Sequence, residues 1–442
     1  MIALYQPVVD GIPVPLHVAV TFDPMRYHVA VAGSDRYDTM DEKNLTRRLR
    51  TLGVSLRIPK GMDVSPVESC LLAYQTFNKA DAFGRLSGHA AGLYEMGGKR
   101  FMVVDGATPT VARAGEWPTL RTFLDGLLGE GVQFDTLIGW LQQARRSLAS
   151  EDALPGQVAA FAGSHGVGKS FLQSQVITPL LGGRQACPFD YMAGSCDFNS
   201  EMFEADHLAI EDKFYRYDMD TRRQFGTRLK ELAVNSVQRC HGKGAKAVYL
   251  KPKWRVTMSL NPERENLNVL PPLDDAIKEK LLLFLCSCPV FPFGPADLTA
   301  KRAWGTAIHS ELPAFAQFVD TFVIPAAVQH ERYGVAAYHA PELLEGLEDN
   351  SPESLLLACI EHDLPGVLVT GATEWCGSSH DLERLLLGQA MPSREQVRRL
   401  FAWPGACGTY LGRLAKSPAA TVTRRRVNGH SSWTIKLPVF EE

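Results

Sequence analysis

The stretch Gly163-Ser164-His165-Gly166-Val167-Gly168-Lys169-Ser170 fits the phosphate-loop pattern G-x-x-x-x-G-K-[ST] at every fixed position. Glycines at those places let backbone N–H groups close around phosphate oxygens, and the start of a following helix adds the positive end of its dipole. In such a loop Lys169 reaches the β- and γ-phosphates and Ser170 holds Mg²⁺. The chemistry expected is therefore binding and hydrolysis of a nucleoside triphosphate. A second constellation, Asp206-His207-Leu208-Ala209-Ile210-Glu211-Asp212, is an apolar run that ends in two carboxylates. Hydrolysis calls for one carboxylate to hold the magnesium-bound water and another to polarise the attacking water. Glu211 is expected on the metal, and which of Glu211 and Asp212 acts as base stays open. The third is Trp254-Arg255-Val256-Thr257-Met258-Ser259-Leu260-Asn261. Its terminal Asn261 could orient the lytic water against the γ-phosphate, although asparagine is also a common turn former.

These groups need rigid elements behind them. Gln157 to Ala162 reads as a short buried strand and Ser170 to Ile177 as the start of a helix, which gives the order strand, loop, helix that a phosphate loop requires. The two later runs read as strands that deliver their polar residues at the C-terminal end. Between them, Gln238 to Tyr249 reads as a β-hairpin with a Gly242-Lys243-Gly244 tip. Its cations His241, Lys243 and Lys246 suit a single-stranded phosphate backbone. An exposed solubilising turn explains the same residues equally well. Helical segments Leu120 to Leu128 and Phe134 to Leu148 lead into the loop strand.

At 442 residues the chain allows about two to four domains. Its 46 Lys and Arg against 49 Asp and Glu carry no overall preference for nucleic acid, so any such affinity must sit in local patches. The nine cysteines are scattered and form no C-x-x-C pair, which argues against a metal finger. The longest apolar run, Leu281 to Cys286, is far too short to span a bilayer, so no membrane and a cytoplasmic location are expected. Residues 1–106 read as a mixed α+β module, with a strand over His28 to Ala32, a helix capped by Asp41, a helix opened by Ser65-Pro66-Val67-Glu68, and a Gly97-Gly98 hairpin turn. The arginines near Leu49 either face phosphates or form a solvated helix face.

Downstream, 118–290 is expected to be the ATPase domain, 291–350 a helical connector with helices Leu298 to Ile308 and Pro313 to Val323, and 351–442 a nucleic-acid-binding module. Helices at Ser393 to Phe401 and Thr409 to Lys416 followed by a hairpin at Thr421 to Lys436 suggest a winged helix. No acidic residue occurs between Pro404 and Lys436, while Arg413, Lys416, Arg424, Arg425 and Arg426 do. That patch suits the phosphates of duplex or forked DNA, and a protein-docking wing is the other reading.

Phosphate loop, acidic strand, basic hairpin and sensor strand, in that order, resemble the superfamily 3 helicases of the AAA+ class, and more narrowly the primase-helicase proteins of phages, prophages and plasmids. Leu180-Leu181-Gly182-Gly183-Arg184, Phe198-Asn199 and Leu270-Pro271-Pro272-Leu273-Asp274 add to the resemblance. It implies an α/β fold with an AAA+ type P-loop core, an α+β N-terminal module and a helical, winged-helix C-terminal module. It also implies ATP and Mg²⁺ as ligands, single-stranded DNA gripped by the hairpin, and a hexameric ring. A neighbouring subunit of such a ring supplies an arginine to the transferring phosphoryl group, for which Arg264, Arg216, Arg222 and Arg223 are candidates. No zinc or carboxylate constellation of a primase is recognisable, so a separate primase remains a possible partner. The activity expected is that of an ATP-driven DNA helicase or translocase. Two rivals stay open: a nucleic-acid-sensing NTPase of an anti-phage defence system, and a DNA-binding scaffold assembled by ATP with little hydrolysis.

Overall fold

Apolar runs that are buried on both faces form the centre of the molecule. The strands Gln185–Ala186, His207–Ile210, Arg255–Leu260, Val158–Ala162 and Leu281–Leu285 lie side by side in that order, and every neighbouring pair is parallel. All residues of Val158–Ala162, His207–Ile210 and Arg255–Leu260 are buried, as expected of a parallel sheet with helices on its faces. The computed structural model describes all residues except 23, 212–218, 244–246, 264–266, 268, 272, 274, 295, 349–350, 369–372, 417–420, 428–429 and 438–442.

The chain divides into two compact units. One comprises Met1–Asp212, Leu229–Leu260 and Glu279–Tyr338, and the other Lys213–Arg228, Asn261–Lys278 and His339–Glu442. In the first unit, helices Pro118–Leu128, Val132–Ala149 and Leu298–Thr321 bury Leu124, Leu141, Phe315 and their neighbours in one core with Phe161 and Phe284 of the sheet. The expected pair of helices on either side of Pro313 is instead one helix of 24 residues. A proline inside a helix removes one hydrogen bond. Here Ile308, Leu312, Phe315, Ala316 and Val319 are all buried along the same face, so tertiary packing holds the helix through the break.

The first hundred residues build a four-stranded sheet, Tyr37–Met40, Met25–Ala30, Val18–Phe22 and Lys79–Ala80, and a three-stranded one, Ala82–Gly84, Lys99–Val103 and Gly92–Met96. Helices Glu42–Thr51 and Pro66–Phe77 cover the first sheet. Asp41 caps the former, and Ser65 with Glu68 closes a full capping box on the latter.

In the second unit, helices Pro352–Asp363, Ser379–Leu386, Arg394–Leu400 and Ala406–Leu414 pack on a three-stranded antiparallel sheet ordered Glu374–Gly377, His430–Lys436, Val422–Val427. Trp375, Tyr410, Trp433 and Ile435 fill the space between helices and sheet. Among the described residues, no helix is long and apolar enough to cross a membrane.

Candidate functional site

The phosphate-loop residues join the buried strand Val158–Ala162 to a continuous helix built of Lys169–Phe171, Leu172–Ile177 and Thr178–Leu181, whose middle segment is wound as a π-helix. Such a local widening of a helix often accompanies function. Two glycines are dictated by geometry. A Cβ on Gly163 would sit 2.5 Å from the carbonyl oxygen of Cys286, and Gly168 has φ +105° with a Cβ position 2.8 Å from the Phe123 ring. Ser164, His165, Gly166 and Ser170 are exposed, while Val167 is buried and anchors the loop in the core. The Lys169 side chain is folded along the loop, and its ammonium donates to the carbonyl oxygens of Gly163 and Ser164. It is only 5 % exposed, which keeps the cation at the loop and away from bulk water.

Register places the acidic strand. Ile210 is level with Met258, and Met258 with Ala160. Glu211, one residue further and exposed, therefore stands near the level of Phe161, two strand spacings or about 10 Å across the sheet. The acidic strand and the phosphate-loop strand are not neighbours in the sheet. The sensor strand Arg255–Leu260 is inserted between them, so the chain running on to Asn261 leaves the sheet between the two. Asp212 lies outside the described residues. Among the described residues, no cluster of three or more His, Cys, Asp or Glu side chains could hold a metal.

Behind the loop, a buried polar chain ties the three motif elements together. The Gln173 amide donates to the Thr257 hydroxyl at 2.7 Å, the Thr257 hydroxyl meets His207 Nε2 at 2.8 Å, and His207 Nδ1 meets the Thr178 hydroxyl at 2.7 Å. Thr178 is also within 2.9 Å of the Gln173 carbonyl oxygen and of Gln185 Oε1. With the proton on Nδ1, each hydroxyl both donates and accepts once along the line from Gln173 to Thr257, His207 and Thr178. Burial pushes the His207 imidazole down to about 3, so it stays neutral at physiological pH and the chain keeps one pattern. Sequence reading passed over these residues because each is unremarkable alone. Thr257→Val keeps the shape but strands His207 Nε2 and the Gln173 amide. It should lower unfolding free energy by about 2–3 kcal/mol in urea titration, with Thr257→Ser losing far less.

The basic hairpin exists as the antiparallel pair Gln238–Cys240 and Val248–Leu250, with Lys243 exposed near its tip and Lys246 outside the described residues. Buried Asn199 holds its base. Its side chain donates to the Arg239 carbonyl at 2.9 Å and accepts from the His241 N–H at 2.7 Å, and its own N–H donates to the His241 carbonyl. His241 also packs on Phe198, with ring centroids 5.3 Å apart. The dipeptide Phe198-Asn199 therefore fixes the base of the hairpin.

Of the arginine-finger candidates, Arg216 and Arg264 lie outside the described residues, and Arg223 sits on helix Met219–Val234. Arg222 is 4 % exposed and donates to the Leu270 carbonyl oxygen from Nε at 3.2 Å and Nη2 at 3.0 Å. Burial lowers its guanidinium to about 10. A side chain engaged in this way ties helix Met219–Val234 to the segment at Leu270.

The C-terminal patch is likewise sorted. Arg413, itself exposed, is tied to Glu353 at 2.8 Å. Lys416, Arg424, Arg425 and Arg426 are exposed; Arg424 stacks over Trp433 at 5.4 Å and bonds the Ser431 hydroxyl. These arginines lie on an edge strand, where charge also blocks unwanted strand pairing.

One feature of the site had no sequence signal. Phe123, Phe171, Phe291 and Trp304 cluster beside Gly168, with Phe171 and Trp304 centroids 4.8 Å apart and Phe123 and Trp304 5.5 Å apart. They border a cavity of about 240 Å³ lined by Thr119, Thr122, Pro289 and Pro292, and a second of about 340 Å³ lined by Leu298, Lys301 and Arg302.

No known family profile matches the sequence, and no curated protein matches it either. Solved structures do. An apo structure of the NrS-1 C-terminal region aligns with 96 % of this chain and 97 % of that one, at 12 % identity and a TM-score of 0.53. Two further apo structures of the same region align at 12 % identity, each covering 96 % of both chains, with TM-scores of 0.52 and 0.54. At such low identity the likeness concerns architecture, and nearly the whole chain shares the fold of the NrS-1 C-terminal region.

Proposed function

We propose that the chain is an ATP-dependent DNA helicase or translocase of a phage or mobile-element replication system, working as a hexameric ring with an AAA+ type core. The observation that carries the proposal is the loop from Gly163 to Ser170, set between a buried strand and a helix at the carboxyl edge of a parallel sheet, with Lys169 held against it. Open α/β sheets bind ligands outside the carboxyl ends of their strands, where the strand order reverses. The chain crosses from Val158–Ala162 to the far edge and later returns to pair Leu281–Leu285 on that strand's other side, which puts the reversal at the loop.

In this reading Lys169 exchanges its carbonyl partners for β- and γ-phosphate oxygens, and the aromatic cavity beside Gly168 takes the purine ring. Ser170 and Glu211 would hold Mg²⁺, which when bound neutralises charge on the phosphate oxygens. Glu211 or Asp212 orients the attacking water and Asn261 reads the γ-phosphate. The polar chain through His207 keeps the loop helix and both motif strands in one register. Lys243 and its hairpin contact single-stranded DNA, and the helix and three-stranded sheet module with Arg424, Arg425 and Arg426 acts as a winged helix on the duplex or fork. The test is phosphate release from Mg-ATP with and without single-stranded DNA, together with strand separation on a forked duplex.

A further inference from the structure

We infer that the N-terminal module carries a second, sequence-independent contact for the backbone of double-stranded DNA, formed by the outer face of helix Glu42–Thr51 and the loop after it. The inference rests on the reading that the chain works on DNA. Between Lys43 and Met62 the sequence holds Lys43, Arg47, Arg48, Arg50, Arg57 and Lys60 and no Asp or Glu, in a chain whose 46 Lys and Arg and 49 Asp and Glu nearly balance as a whole. A solvated helix face ordinarily mixes both signs.

The fold aims these cations outward. Leu45 and Leu49 are fully buried in the module's core with Val18, Val20, Tyr27 and Val29. Lys43, Arg47 and Arg50, spaced i, i+4 and i+7, share the opposite side of the helix and are exposed. Arg57 and Lys60 are exposed on the loop that follows. The two acids that open the helix are turned elsewhere: Asp41 accepts from the Asn44 N–H as the cap, and Glu42 accepts from the Tyr27 hydroxyl at 3.1 Å. Among the described residues, no ion pair involves any of the six cations, and the one side-chain hydrogen bond of the group runs from Arg47 to Asn44 at 3.5 Å.

The residue types choose the partner. No aromatic residue occurs between Lys43 and Met62, so a platform for unstacked bases is missing and backbone phosphates are what the face can recognise. A membrane surface fits less well. A helix lying in the lipid interface buries its apolar side in the bilayer, whereas Leu45 and Leu49 are already covered by the module's own core. Leu52, Leu56, Ile58 and Met62 are exposed on the loop, and an anionic bilayer is therefore one outcome to be measured.

The experiment compares the full chain with its K43Q/R47Q/R50Q variant by binding of labelled mixed-sequence duplex DNA across a salt series, without nucleotide. Three lost phosphate contacts should reduce the slope of log K against log salt by about 2.7. ATP turnover without DNA and the thermal melting curve should stay as in the parent chain. An R424Q/R425Q/R426Q variant reports on the C-terminal surface separately. If the parent binds duplex DNA and the N-terminal variant keeps its slope, the inference is overturned and the DNA reading stands. If the parent binds no DNA at all, both fall. Loss of binding to phosphatidylserine vesicles with an unchanged DNA slope would assign the face to membranes and overturn the inference.

Discussion

Lys169→Ala should lower ATP turnover by about 10²–10³-fold, the loss typical of removing one preorganised group from a site where negative charge develops. The cation is buried to 5 % exposure and lies against Gly163 and Ser164 at the start of the loop, so a triphosphate in the loop brings its oxygens to a positive group that needs only a short swing. Removing it leaves the two carbonyls to water, and the fold should persist, which a melting curve checks. Steady-state phosphate release gives the effect on kcat and KM separately. A fall in kcat marks a group acting in the transition state, whereas a rise in KM alone would reduce Lys169 to a binding contact.

The largest effect on stability is expected from Asp206→Ala, at about 3–5 kcal/mol, the usual cost of breaking a buried ion pair from one side. The Asp206 side chain is fully buried and accepts from Arg184 Nε at 2.8 Å, from Arg184 Nη2 at 2.9 Å and from the Gly88 N–H at 2.8 Å. The carboxylate also lies where a side chain on Gly182 would have to go, with its oxygen 2.3 Å from the Cβ position. Three segments distant in sequence thus meet on one charge at the start of the acidic strand. Against a total of about 5–15 kcal/mol for a domain, that loss is severe. Urea unfolding measures it, and a double-mutant cycle with Arg184→Met should return a coupling of about 2 kcal/mol or more. A loss below about 1 kcal/mol would mean that water replaces the carboxylate at little cost.

Short-range signals carried the parts of this protein that were legible in its sequence. The order strand, loop, helix around Gly163 to Ser170, the capping box at Ser65 and Glu68, and the Gly97-Gly98 turn with φ +57° and +73° each follow from a few adjacent residues. What stayed hidden depends on pairing across long stretches of chain. Leu281–Leu285 looks only like an apolar run until it pairs with Val158–Ala162. The sensor strand's place between the loop and acidic strands is a matter of sheet order, which periodicity does not encode. Arg413 reads as a free cation until Glu353, 60 residues earlier, is brought beside it. His207, in turn, reads as one polar residue in a strand until Thr178 and Thr257 close around its ring.

Phosphate release from Mg-ATP by the full chain, followed with and without single-stranded DNA, tests the central claim most directly. The account predicts turnover that rises several-fold with DNA and falls by about 10²–10³-fold in the Lys169→Ala variant. Turnover that ignores DNA, or that the loss of Lys169 leaves within about tenfold of the parent, would contradict it.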